Sequence, residues 1–215
     1  MSIASKLTYY KSKAKDKKLV IVTKNQSLED VLEVYKNGFR IFAENKVQNL
    51  IERQQTLPKD IEWHLIGHLQ SNKVKQIAPF INCIQSVDSI KLATFIQNEA
   101  LKNNRVIDCF LQIHVAQEAT KFGFTPDEIQ EIAVSKILLD FPNIRWKGIM
   151  AMATQTNNLE LVKREFASIK QIYETIKVTF TPDFTEISMG MTNDFELALE
   201  EGATLIRIGS GVFEK

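Results

Sequence analysis

The stretch Leu19-Val20-Ile21-Val22-Thr23 decides how the rest of the chain reads. Five residues without alternation of polar and apolar side chains describe a strand covered on both faces, and such strands belong to parallel sheets. Working outward, similar runs recur at Phe39 to Asn45, Trp63 to Gly67, Ile81 to Val87, Val106 to Val115, Trp146 to Met152, Phe184 to Met189 and Thr204 to Ser210. Between most of them lie segments with helical periodicity: Leu28 to Asn37, Lys46 to Thr56, Ile90 to Leu101, Pro126 to Leu139, Leu159 to Lys177 and Asp194 to Glu200. Start and stop signals agree. Ser27 precedes Leu28 with Asp30 three residues on, Thr125-Pro126 is an N-cap followed by Pro at the first helical position, and Gly38 and Gly202 follow helices.

Strand and helix alternating about eight times is the pattern of α/β architecture with a parallel sheet, and eight units predict closure. A (β/α)₈ TIM-type barrel typically takes about 250 residues and can be made with about 200. The 215 residues therefore fit a single barrel domain over 1–215, with 1–18 as an N-terminal helical extension. An open doubly wound sheet is the alternative. The last expected strand ends near Ser210, so no second domain is expected after the barrel.

Charge and composition exclude several classes. Lys and Arg number 27 against 26 Asp and Glu, so no bulk field draws in nucleic acid or an anionic membrane. With eight Gly and five Pro the chain is neither linker-rich nor disordered. Cys83 and Cys109 sit in apolar runs without a CxxC spacing, which predicts reduced core residues and a cytoplasmic location. No apolar run approaches the roughly 18 residues of a membrane span, and Met1 to Tyr10 has no signal-peptide core.

In a barrel, function belongs at the C-terminal ends of the strands. Lys24 ends the first strand on the face of Val20 and Val22; it is either a charge that snorkels out or an amine desolvated in the mouth and free to condense with a carbonyl. Arg207 interrupts Leu205-Ile206-Arg207-Ile208 and must have an acceptor, with an ion pair to Glu44 or another strand-end carboxylate as its structural reading. Asn45 ends the second strand and could equally cap the following helix. Ser188-Met189-Gly190-Met191-Thr192 and Gly209-Ser210-Gly211 supply hydroxyls and close-approach N–H groups where barrels place a phosphate, though such residues also make turns. His64 and His68 are four apart on a strand and turn, without the helix and Glu of a zinc motif, so no metal is expected. The run Lys11, Lys13, Lys15, Lys17, Lys18 reads as the solvated end of an opening helix.

Several strings together resemble one family. Val22-Thr23-Lys24, Phe42-Ala43-Glu44-Asn45-Lys46-Val47-Gln48, Trp63-His64-Leu65-Ile66-Gly67-His68-Leu69-Gln70-Ser71-Asn72-Lys73, Ser86-Val87-Asp88, Gly148-Ile149-Met150-Ala151-Met152, Ser188-Met189-Gly190-Met191-Thr192 and Arg207-Ile208-Gly209-Ser210 are similar, in order, to the pyridoxal phosphate homeostasis protein family (YggS/PROSC type). The resemblance implies a PLP fold type III-like barrel, similar to the N-terminal domain of alanine racemase, with pyridoxal 5′-phosphate (PLP) at its mouth. It implies an imine between PLP and Lys24, with Asn45 beside the cofactor. Ser188, Gly190, Met191 and Thr192, with Gly209 and Ser210, would cradle the phosphate, and Arg207 would face the pyridine nitrogen. Ala43 stands where Gly is frequent in the family, and Ser210 where Thr is frequent.

An Arg partner weakens the electron sink of the ring, so the expected function is PLP storage and delivery without catalytic turnover. Expected partners are PLP, other B6 vitamers and apo PLP-dependent enzymes, with the protein a monomer. Two competing readings stand beside this one. A minimal PLP-dependent racemase or lyase would need His114 or Tyr173 for proton transfer. A barrel binding another phosphorylated metabolite would leave Lys24 and Arg207 without a common purpose.

Overall fold

The apolar runs form eight parallel strands: β1 (Lys18–Val22), β2 (Ile41–Glu44), β3 (Glu62–Leu65), β4 (Cys83–Val87), β5 (Ile107–Ile113), β6 (Ile144–Ala151), β7 (Glu186–Ser188) and β8 (Leu205–Ile208). In the computed structural model, which describes residues 2–116 and 122–214, they close into a barrel in sequence order. Closure runs from Lys18 opposite Leu205 to Ile21 opposite Ile208, which excludes the open doubly wound alternative.

The period-2 alternation of strand side chains sorts each strand into two cores. Ile21, Phe42, Leu65, Ile84 and Ile206 point outward into the layer filled by Val31, Leu50, Ile96 and Phe166 of the surrounding helices. Val20, Val22, Ala43, Cys83, Phe110, Met150 and Leu205 fill the inside. Burying each large aliphatic side chain stabilises the fold by about 1.5–3 kcal/mol, so an unbroken apolar strand is what this two-sided burial selects. The free cysteines fall on opposite faces of neighbouring strands, Cys83 inside and Cys109 outside, and burial pushes both thiols up.

The long helices lie close to their expected spans: α2 (Leu28–Lys36), α3 (Val47–Thr56), α5 (Ile90–Lys102), α6 (Pro126–Ser135) and α7 (Leu159–Ile176). Ser27 caps α2 by accepting from the Asp30 N–H at 3.1 Å, and Thr125 and Glu128 form a reciprocal capping box at α6. Two short helices were not legible. A 3₁₀ turn at Ser71–Lys73 leads into α4 (Val74–Ile77), and α9 (Ser210–Phe213) starts where strand was expected to continue. Four residues are about one helical turn, too few to establish a 3.6-residue period.

The opening helix α1 (Ile3–Ala14) packs on α2 and α9. Tyr10 meets Phe195 of α8 (Phe195–Glu200) edge to face at 5.3 Å, and Lys13 pairs with Glu196 at 2.8 Å. A Cβ at Gly211 would lie 2.0 Å from the Tyr10 hydroxyl oxygen, so any larger residue there would have to push the Tyr10 ring aside.

Candidate functional site

Lys24 follows β1 on a turn with Asn25, whose φ is +63°, and the inward parity of Val20 and Val22 carries it to the barrel mouth. Of its two readings, a charge reaching out and a desolvated amine, the first matches its exposure. Lys24 is exposed, because the turn lifts it beyond the last layer of interior side chains. Asn45, half-buried, stands at the corresponding end of β2, and its backbone carbonyl lies so close to Gly67 that a Cβ there would fall 2.1 Å from the oxygen.

Arg207 is buried inside the barrel. Its partner is not Glu44, which faces outward and pairs with Arg53 of α3 at 2.7 Å. Instead Arg207 Nη2 donates to the Ala151 carbonyl at 2.9 Å and Nη1 to Ser188 Oγ at 2.5 Å. The Ser188 hydroxyl donates in turn to Gln85 Oε1 at 2.7 Å, and Gln85 Nε2 reaches His64 Nδ1 at 2.8 Å. The chain of donors therefore runs one way across the interior, from Arg207 through Ser188 and Gln85 to His64. Nδ1 accepts, which makes His64 a neutral ring.

Ser188, expected among the phosphate hydroxyls, is fully buried, and its hydroxyl accepts from Arg207 and donates to Gln85 inside the barrel. Burial pulls the Arg207 guanidinium down to about 10, opposed by the nearby carboxylate of Asp194, and it remains cationic at neutral pH. Asp194 is itself raised by burial, with Arg207 and the Met191 N–H, 2.5 Å away, acting against that.

Burial also pushes His64 from 6.5 to about 3. Below pH 6.5 the unfolded chain takes up a proton that the native state refuses, so the His64 contribution is fully present above 6.5 and is lost as pH falls towards 3. Between pH 7 and pH 5 this should cost about 2 kcal/mol of stability. Denaturant titrations at the two pH values should show that loss in the protein. A His64→Gln variant, which keeps an acceptor for Gln85 without a titrating ring, should lose much less; an equal loss would assign the acid sensitivity elsewhere.

The small-residue loops after β7 and β8 meet. Thr192 Oγ1 accepts from the Gly211 N–H at 3.2 Å, and the Arg207 N–H donates to the Gly190 carbonyl at 3.0 Å. Gly190 has φ +90°, and a Cβ on it would lie 2.5 Å from Ala198 Cβ, so this approach excludes any other residue. Thr192, Gly209 and Ser210 are half-buried on the rim, with Ser210 opening the short helix α9, and Met191 is exposed.

Other candidates separate. His64 lies inside the barrel, whereas His68 is at the mouth, 2.9 Å from Asp88 Oδ2 and stacked on Phe122 at 3.7 Å. Among the described residues no three metal-ligating side chains come together. Tyr173 is remote from the mouth, since its hydroxyl donates to the Phe184 carbonyl at 3.0 Å beneath α7. Gln85 escaped the sequence reading although it carries the same signal as Arg207, a polar side chain in a strand buried throughout.

The model of a family described as "Alanine racemase, N-terminal domain" matches residues 2–214. A pyridoxal phosphate homeostasis protein from Aquifex aeolicus is 36% identical over 197 residues, which is 91% of this chain and 86% of the relative. The chain belongs to the pyridoxal phosphate homeostasis proteins. A family member from Helicobacter pylori is 35% identical over 200 residues, covering 92% of this chain and 87% of that one. PipY of Synechococcus elongatus PCC7942, solved with PLP bound, superposes with a TM-score of 0.89 at 30% identity, over 99% of this chain and all of PipY. The alanine racemase of Bartonella henselae superposes with a TM-score of 0.76 at 14% identity, over 99% of this chain and 58% of its own, a likeness of fold alone.

Proposed function

We propose that this chain binds PLP and acts in intracellular PLP homeostasis, storing and delivering the cofactor without turning over a substrate. The observation that carries the reading is the convergence at one mouth of an accessible amine, Lys24, a buried guanidinium, Arg207, and two glycine-bearing loops tied together through Thr192 and Gly211. Those groups fit a phosphorylated pyridine aldehyde. The PLP bound to PipY and the names of the relatives support the same assignment.

In this reading Lys24 would hold the cofactor through its aldehyde as an imine, Asn45 would line the ring, and Gly190, Met191, Thr192, Gly209 and Ser210 would surround the phosphate. When bound, PLP supplies an electron-withdrawing ring whose pull depends on a protonated nitrogen. Arg207, which stays charged, would face that nitrogen and so disfavour its protonation. Ser188 acts through Arg207. Apo PLP-dependent enzymes are the recipients, other B6 vitamers are further ligands, and the protein works as a cytoplasmic monomer. Among the described residues no helix is long and apolar enough to cross a membrane.

The test pairs proton exchange at the amino-acid Cα in deuterated buffer with reactivation of an apo-enzyme while a scavenger traps free PLP. Exchange no faster than with free PLP, together with reactivation, is expected. Steady turnover that vanishes in Lys24→Ala would overturn the non-catalytic reading, and absence of reactivation would leave storage alone.

The phosphate loops have their own test. Thr192→Ala should weaken PLP about tenfold or more, because a hydroxyl bond to a charged phosphate contributes about 1.5–3 kcal/mol, and should leave phosphate-free pyridoxal much less affected. Equal loss for both ligands would mean that Thr192 serves only to hold Gly211.

A further inference from the structure

The turn that carries Lys24 is held from outside the barrel. Thr23, immediately before it, is buried, and its hydroxyl donates to Glu44 Oε1 at 2.6 Å. The same oxygen accepts from Arg53 Nε at 2.7 Å. Arg53 Nη2 then bridges two carbonyls, Thr23 at 3.0 Å and Gln26 at 2.6 Å. These carbonyls flank Lys24 and Asn25, so one guanidinium spans the turn, while Gln26 N–H closes it on the Thr23 carbonyl at 3.1 Å.

Stability alone explains this arrangement poorly. A buried ion pair rarely repays its desolvation better than apolar packing would. Among the described residues Glu44 Oε2 and Arg53 Nη1 are buried without a hydrogen-bond partner. What the contacts this pair does make have in common is the backbone on both sides of Lys24. The Lys24 side chain is exposed, so the backbone is the lever by which the protein can aim the amine.

We propose that Arg53, anchored by Glu44, is a positioning residue for Lys24: it clamps the Thr23–Gln26 turn so that the amine stands over the mouth. The inference rests on the reading of Lys24 as the PLP-bonding amine. An error of about 1 Å in such a placement slows a bond-forming step by as much as about a hundredfold, so a backbone clamp well away from the amine can set its reactivity.

The experiment compares the unsubstituted protein with Arg53→Met, Arg53→Lys and Glu44→Gln, in two measurements. In cofactor-free protein, amide hydrogen exchange of the peptide spanning 22–28 should rise about tenfold or more in Arg53→Met, with the other strands unchanged. With PLP added, the rate at which borohydride traps a pyridoxyl group on Lys24 should fall about tenfold or more, and Arg53→Lys should restore part of it. PLP uptake in a Lys24→Ala background, which reports the phosphate loops alone, should not respond to Arg53→Met. An unchanged trapping rate in a folded Arg53→Met would overturn the proposal, as would a loss of uptake in the Lys24→Ala background equal to the loss in trapping. If Arg53→Met does not fold, the same criteria apply to Arg53→Lys and Glu44→Gln. A label absent from Lys24 in the unsubstituted protein would overturn the parent reading and this one with it; that result is distinguishable because it appears before any substitution is made.

Discussion

Lys24→Ala should fold normally, lose the borohydride-trapped pyridoxyl label entirely, and bind PLP on the order of a hundredfold more weakly, which is about 2.7 kcal/mol. Folding is spared because the Lys24 side chain is exposed and supports no core contact, and surface substitutions of that kind change stability by about 0.5 kcal/mol or less. Selectivity for Lys24 is the informative part. Lys46 and Lys73 are exposed lysines on the loops after β2 and β3, and exposure does not single out Lys24 from them. What would single it out is proximity: loops that hold phosphate and ring at the mouth raise the effective concentration of the aldehyde at one amine only. Peptide mass mapping after reduction checks this, and a label mainly on Lys46 or Lys73 would refute it. Residual binding in Lys24→Ala should reside in the phosphate contacts, and should therefore fall further when Thr192→Ala is added.

The second large effect is expected at a residue that touches no ligand. Gln85→Leu keeps the volume but leaves His64 Nδ1 without its donor and the Ser188 hydroxyl without its acceptor, both inside the barrel. Each unsatisfied buried group costs about 1–3 kcal/mol, so a loss of about 2–6 kcal/mol is expected in denaturant titrations. Arg207 should feel the change as well, since its Nη1 donates to the same Ser188 oxygen. If Arg207 faces the pyridine nitrogen, the visible absorbance of bound PLP in the folded fraction should shift. Gln85→Glu provides the contrast: it can still accept from Ser188 but, when ionised, cannot donate to His64, so its stability should depend on pH more steeply than that of the parent. A stability unchanged in Gln85→Leu would show that the four side chains are neighbours without being a coupled chain.

Much of the architecture was legible because one physical demand, burial on both faces, writes itself into consecutive residues. The run at Leu19 to Thr23 and its seven counterparts predicted a closed parallel barrel, and the strong caps at Ser27 and Thr125 marked helices close to where they occur. Boundaries were less legible where elements were short. The strand expected to reach Ser210 ends at Ile208, and α4 was not seen at all. Of the site, Arg207 stood out because a guanidinium inside an apolar strand must find an acceptor, whether its role is structural or not. Arg53 did not, because on an amphipathic helix a buried arginine and a solvated one have the same spacing.

By itself, then, the sequence determined which elements form, in what order they close, and which residue types gather at the C-terminal ends of the strands. Local patterns carry that information, since side-chain parity and capping act over a few residues. Which groups bond to which was decided only by the tertiary structure. That the Ser188 hydroxyl links Arg207 to Gln85, that Glu44 lies on the opposite face of the sheet from Arg207 and pairs with Arg53, and that Lys24, readable either as a charge reaching out or as a desolvated amine, stands exposed on its turn are facts of the assembled barrel. Hydrogen bonds reach only about 3 Å, and the partners in the interior chain from Arg207 to Gln85 lie 19 to 103 residues apart in sequence, brought together by the packing of the strands around the barrel.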